Sequence, residues 1–252
     1  MASSRYRVRD GIVLRRTPLP SGDVVVTLLS EDGKWRAIVR KGRLPGGNPG
    51  RLSLFHDVTV QAYRRRDDDL AVVTQVRLNG ALPRLSDPDV YPYAHALAEL
   101  ADRLAVEVHL GEPLHAWLAS GLRGLNADGD PERVALVHAW MMLRVAGLGP
   151  AVAAGPEGSA EGPARFDVAG GTLTRDGEGI ALSPQGAYGL RRLATGRARD
   201  VLNEPLVDRA LQWRLLARYV GWHVEQLRSL QAVTAMRAEA GADAERDAPE
   251  NA

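Results

Sequence analysis

No cysteine occurs among the 252 residues of the chain. Disulfides are therefore excluded, and so are thiolate metal sites and cysteine nucleophiles. Aromatic residues make up only 5% of the chain, and in residues 1–80 they reduce to Tyr6, Trp35, Phe55 and Tyr63. A surface built from that part has few rings on which to stack bases. No apolar run approaches the ~20 residues that span a bilayer. The opening "MASSRYRVRDG" lacks the apolar core of a secretory signal. The expectation is a cytoplasmic protein with no membrane partner.

Catalytic signatures are missing too. His95, His109, His115 and His138 fall on or beside expected helices, without an H-E-x-x-H pair. No G-x-S-x-G elbow occurs. "PGGNPGRLS" is rich in glycine but lacks the Gly-Lys-Ser/Thr ending that sets a lysine on terminal phosphates. The carboxylates Asp67, Asp68 and Asp69 directly follow Arg64, Arg65 and Arg66, and pairing or solvation accounts for them. The chain is expected to be no enzyme and to need no metal or cofactor.

What is present is an asymmetry of charge. The formal net charge is +1, with 45% hydrophobic and 25% charged residues, ordinary values for a soluble globular protein. Residues 1–80, however, hold thirteen Arg and two Lys against eight acidic residues, a net +7, which leaves −6 for the rest. A basic N-terminal part joined to an acidic C-terminal part points to a polyanion partner for the first.

Five β-like runs occupy the basic part: 6–16, 22–30, 33–41, 57–65 and 70–78. Their connectors carry turn chemistry, and Asp-Gly in "EDGK" suits a tight hairpin. Five short strands without an intervening helix predict a small closed barrel, which removes sheet edges. From residue 81 the pattern becomes helical. Asp87 or Asp89 is a candidate cap for a helix carrying Ala94, Leu97, Leu100, Ala101 and Leu104. Further helices are expected over 112–125, over 131–148 and from Pro184 to Leu193, with a last one over 204–233 in one or two pieces. For 131–148, Asp130 is the expected N-cap, Pro131 sits in the first turn and Gly147 is the C-cap; apolar residues nearly all round predict burial. Residues 147–186 are dense in Gly and Pro and read as an irregular hairpin inserted into the helical part. Residues 237–252 offer no apolar face and are expected to be a disordered tail. The fold class is α+β: a barrel over 1–80, then a helical domain over 81–236.

The candidate site lies on the barrel. Along the run at 34–41, Lys34, Arg36, Ile38 and Arg40 share one face, while Trp35, Ala37, Val39 and Lys41 share the other. Trp35 thus belongs to the apolar side, as core. The following loop adds Arg43 and Arg51 among Gly42, Gly46, Gly47 and Gly50, and Arg64, Arg65 and Arg66 cluster after the fourth strand. Such a basic face suits a sugar–phosphate backbone bound with little regard to sequence.

The segments "GIVLRRTPLPSGDVVVTLLSEDGKWRAIVRKGR" (11–43), "LFHDVTVQAYRRRDDDLAVVTQVRL" (54–78) and "AYGLRRLA" resemble the bacterial RecO family of DNA repair proteins, and the likeness covers about residues 1 to 230. The resemblance implies an N-terminal OB barrel, a helical bundle and, commonly, a four-cysteine zinc element. It implies binding of single- and double-stranded DNA and annealing of complementary strands. It also implies work with RecR, and in many bacteria RecF, in loading RecA onto single strands coated by SSB, and a contact with the acidic SSB tail. Carried onto this chain, the basic strand and loop are Lys34, Arg36, Arg40, Lys41 and Arg43, and Arg15 and Arg16 extend them. Arg123, Arg133, Arg144, Arg191 and Arg192 are candidates for the SSB tail. The cysteine pairs of the family should fall near Gly155–Gly158 and Thr174–Glu178, where this chain has none, so a zinc-free hairpin is expected. Two other readings stand beside this one. One is an RNA-binding OB protein or assembly module without annealing activity. The other is a nucleic-acid hydrolase, for which only Asp67 to Asp69 offer metal ligands.

Overall fold

The computed structural model describes residues 6–40, 49–64, 70–105, 110–127, 129–152 and 164–246. Five strands form first: β1 (Tyr6–Pro18), β2 (Val24–Ser30), β3 (Gly33–Val39), β4 (Asp57–Tyr63) and β5 (Ala71–Gly80). They close into a barrel in the order β1-β2-β3-β5-β4. The β3–β5 pairing is parallel and the others are antiparallel, the OB arrangement. Strand β1 serves two neighbours. Its residues 6–12 pair with β4 and its residues 12–18 with β2, and a register shift between Val13 and Arg15 bends it. Val13, Val26, Leu28, Trp35, Ala37, Val58 and Val60 fill the interior. Trp35 is core, as its alternation implies.

The shift at Leu14 has a consequence for packing. Leu14 joins Ile12, Leu29 and Phe55 in the hydrophobic core of the helical domain rather than that of the barrel. Phe55 adopts φ 69° and meets Tyr91 edge-on at 5.8 Å. The two domains therefore share a core. The first residue of α2, Gly111, seats on the β2–β3 hairpin so closely that a Cβ there would lie 2.2 Å from the Gly33 nitrogen. Only glycine permits that approach.

The helices are α1 (Tyr91–Leu104), α2 (Gly111–Asn126), α3 (Pro131–Val145), α4 (Pro184–Thr195), α5 (Ala198–Leu202), α6 (Arg209–His223) and α7 (Arg228–Arg246). For α3, Asp130 accepts from the Arg133 N–H at 3.2 Å, and Gly147 takes φ 75° just past its end. Ala135 to Leu143 are all buried. The cap expected for α1 differs: Val90 precedes the helix with no side-chain cap. The Asp87 carbonyl takes the Val90 and Tyr91 N–H groups instead, at 2.9 and 2.8 Å.

Three further departures concern the C-terminal part. The 204–233 segment is in two pieces, one of the two forms expected, but its first residues are not helical: α6 starts at Arg209 behind Asp208 (φ 49°), whose side chain accepts from the Leu211 N–H at 3.2 Å. The tail expected to be disordered from Arg237 is helical as far as Arg246. "RAEAGADAER" consists mostly of good helix formers, so it extends an anchored helix without an apolar face of its own. The inserted hairpin is a three-stranded sheet, β7-β6-β8, of β6 (Ala164–Asp167), β7 (Thr172–Thr174) and β8 (Ile180–Leu182). Phe166 anchors it, fully buried with its ring 5.8 Å from that of Tyr219. Gly155–Gly158, where one cysteine pair of the family was expected, lie outside the described residues.

Candidate nucleic-acid interface

The register of the barrel decides which basic residues stand together. On the outer surface, Arg15 of β1 and Arg36 of β3 both lie opposite Thr27 of β2. Directly opposed residues share a face, so Arg15 and Arg36 flank a buried threonine, two strands or about 10 Å apart. Arg36 is exposed and takes no ion pair or hydrogen bond among the described residues. Arg15 is 49% exposed, with its guanidinium 3.8 Å from Asp102 of α1. Sequence spacing links Lys34, Arg36 and Arg40 but is silent on this pairing of Arg15 with Arg36, which depends on the register shift.

The other members of the expected face are partly committed elsewhere. Lys34 turns toward the helical domain: its Nζ donates to the Asp102 carbonyl at 2.7 Å and pairs with the Asp102 carboxylate at 3.2 Å. That carboxylate is only 8% exposed, so Lys34 supplies the charge that lets it sit in the seam. Arg40 pairs with the buried Asp23 at 2.6 Å. Ile38, between Arg36 and Arg40 on the same face, is buried. Arg51 closes a short 3-10 helix and donates to the Val76 carbonyl at 3.1 Å. Arg64 is half-buried at the end of β4. Lys41, Arg43, Arg65 and Arg66, with Gly42, Gly46, Gly47 and Asp67 to Asp69, lie outside the described residues.

Arg16, opposite the core residue Val26 and so on the other side of β1 from Arg15, joins Arg15 in lining a groove of about 510 Å³ between β1 and α1. Its walls include Arg15, Arg16, His95, Glu99, Asp102 and Arg103. The acidic members are occupied: Asp102 by Lys34 and Arg15, and Glu99 by Ser229, whose N–H donates to it at 2.9 Å. Glu99 keeps its charge, since Ser229 is neutral, but Lys34 and Arg15 offset Asp102 and Arg16 takes no partner among the described residues, so the lining carries a positive excess. Nothing in the linear sequence signals this groove, because its two walls are about eighty residues apart.

The arginines named for an acidic tail are scattered. Arg133 donates to the Glu204 carbonyl and Arg144 to the Gly196 carbonyl, each at 2.9 Å. Arg192 forks onto the Glu204 carboxylate, which raises its pKa further. Arg191 is half-buried on α4, and Arg123 is exposed at the end of α2. No single groove collects all five.

His95, His138 and His223 pack against aromatic rings. His138 is buried, its Nδ1–H donating to the Val134 carbonyl at 2.7 Å and its Nε2 facing the Ser120 hydroxyl at 3.2 Å. Burial holds its pKa below the ordinary imidazole value and keeps the ring neutral. His109 lies outside the described residues, among which no group of three potential metal ligands occurs. Nor is any described helix long and apolar enough to cross a membrane.

Two family models match, one to each domain. Recombination protein O N terminal matches residues 5–81, the barrel, and Recombination protein O C terminal matches residues 85–231, from the end of the 3-10 turn before α1 into α7.

Proposed function

The chain belongs to the recombination protein O family, a family of recombinational DNA repair, and on that premise we propose that it binds single- and double-stranded DNA and anneals complementary strands. The observation that carries this reading is the pair Arg15 and Arg36 on one outer face, with Arg16 joining Arg15 at a groove of positive excess. Two complementary strands repel through their phosphates. A basic surface that engages both lowers that barrier without nucleotide hydrolysis. The same protein works with RecR to help RecA load onto SSB-coated single strands, and it takes the acidic SSB tail on its helical domain. That part of the proposal rests on the family alone.

The test is annealing of complementary oligonucleotides by the full chain without nucleotide. Acceleration should fall as salt rises, with a slope in log affinity of about 0.7 per phosphate engaged on a single strand. No acceleration, together with tighter binding to structured RNA than to DNA, would replace this reading with an RNA-binding one.

A further inference from the structure

Trp222, in the last turn of α6, is 67% exposed. The other four tryptophans are not free in this way: Trp35, Trp140 and Trp213 are buried, and Trp117 packs partly buried against the core. Arg214 and Arg218 precede Trp222 at intervals of four residues, so the three share one helix face at steps of about 6 Å. Both arginines are exposed, and neither takes an ion pair or hydrogen bond among the described residues. The opposite face, with Trp213, Leu216 and Val220, is the buried one. The result is two unpaired cations in line with an open indole.

The chain that follows this stripe reaches a helix that lines the groove. The chain after α6 runs along α1: Glu225 of the connector pairs with Arg103 at 2.8 Å, and in the first turn of α7 the Ser229 N–H donates to Glu99 at 2.9 Å. Glu99 and Arg103 line the groove together with Arg15 and Arg16. Trp222 thus stands three residues from a group that touches the groove wall.

We propose that a single strand held on the barrel crosses the groove and is gripped again on α6, with Trp222 stacking a base and Arg214 and Arg218 taking phosphates. This second contact rests on the DNA-binding reading and extends it. It adds an open indole that the barrel lacks: Trp35 and Phe55 are buried there, and its exposed ring, Tyr6, lies against Tyr63 at 5.1 Å at the opposite end of β1 from Arg15, which leaves Arg15 and Arg36 to act by charge. An open ring also suits a base, which stacks by its face. An apolar peptide side chain gains most by filling an enclosed pocket, and a ring this exposed does not line one.

The test is binding of labelled oligo(dT) by the full chain, with Trp222→Ala, Trp222→Phe and the double change Arg214→Glu, Arg218→Glu. All replace exposed side chains, and unfolding curves check that the variants fold. Trp222→Ala should weaken binding about tenfold. The double arginine change should also lower the salt slope by about 1.4, two phosphates at about 0.7 each. Oligo(dT) should quench tryptophan emission in the wild type, and Trp222→Phe should lose most of that quenching. Wild-type affinity, slope and quenching in all variants would overturn the second contact while leaving the barrel site standing. So would loss of binding to an acidic peptide with oligo(dT) binding unchanged. A wild-type chain that does not bind oligo(dT) at all would overturn the DNA reading and this contact together.

Discussion

Replacing Arg15 by Gln together with Arg36 by Glu is expected to cut affinity for single-stranded DNA about a hundredfold at low salt, with a melting temperature close to wild type. Both side chains are exposed, and both lie opposite Thr27 on the outer barrel surface. The change therefore removes one positive charge and reverses another where a backbone would run. Stability should survive because Lys34 remains on Asp102 at 3.2 Å after Arg15 is neutralised. Glutamine rather than glutamate at position 15 avoids setting a second carboxylate beside Asp102. Reversing Arg40 is a poorer experiment. It would face a carboxylate toward Asp23, which is buried and now pairs with Arg40 at 2.6 Å. A loss of binding there would mix charge with unfolding. Fluorescence anisotropy across a salt series, with thermal unfolding alongside, separates the two. Unchanged affinity and slope would move the DNA face off this part of the barrel.

The second large effect concerns stability. Glu132, in the first turn of α3, is 1% exposed and receives two arginines from other helices: Arg209 of α6 at 3.2 Å and Arg237 of α7 at 2.7 Å. Arg209 also reaches Asp130, the cap of α3, at 2.6 Å, and the Arg237 guanidinium lies 5.8 Å from the centre of the Tyr93 ring on α1. Burial, and next the Glu132 charge, push the Tyr93 hydroxyl pKa up. One carboxylate thus ties three helices together over a fourth. Arg237→Met, which removes one partner of a buried charge, should cost roughly 3 kcal/mol. For a domain of this size that lowers the melting temperature by roughly 10 °C. Adding Glu132→Gln to Arg237→Met should recover part of the loss, because no buried charge is then left short of partners. Urea unfolding of the single and double variants is the measurement. Additive losses would show that the pair is not coupled.

Much of this architecture is legible in the chain. β-Branched residues and turn chemistry mark the five strands, alternation along β3 puts Trp35 inside, and Asp130, Pro131 and Gly147 mark both ends of α3. What is not legible depends on contacts between distant segments. Lys34 and Arg36 are equivalent by alternation, yet one is drawn to Asp102 and the other stays free, because α1 packs against only one end of that face. The register shift at Leu14 aligns Arg15 with Arg36, and a single residue of slip would have pointed Arg15 the other way. The helix past Arg237 was hidden because it lacks an apolar stripe, and its anchor is the ion pair with Glu132. The third strand of the inserted sheet, β8, pairs with β6 rather than with its neighbour in sequence, β7, so no hairpin pattern marks it.

Arginine modification by phenylglyoxal, read by mass spectrometry with and without oligo(dT), locates the DNA face most directly. Arg15, Arg16 and Arg36 should lose reactivity when DNA is present, while Arg123, exposed at the far end of α2, keeps it. Undiminished reactivity of Arg36, with protection confined to arginines of the helical domain, would contradict a DNA face on the outer barrel.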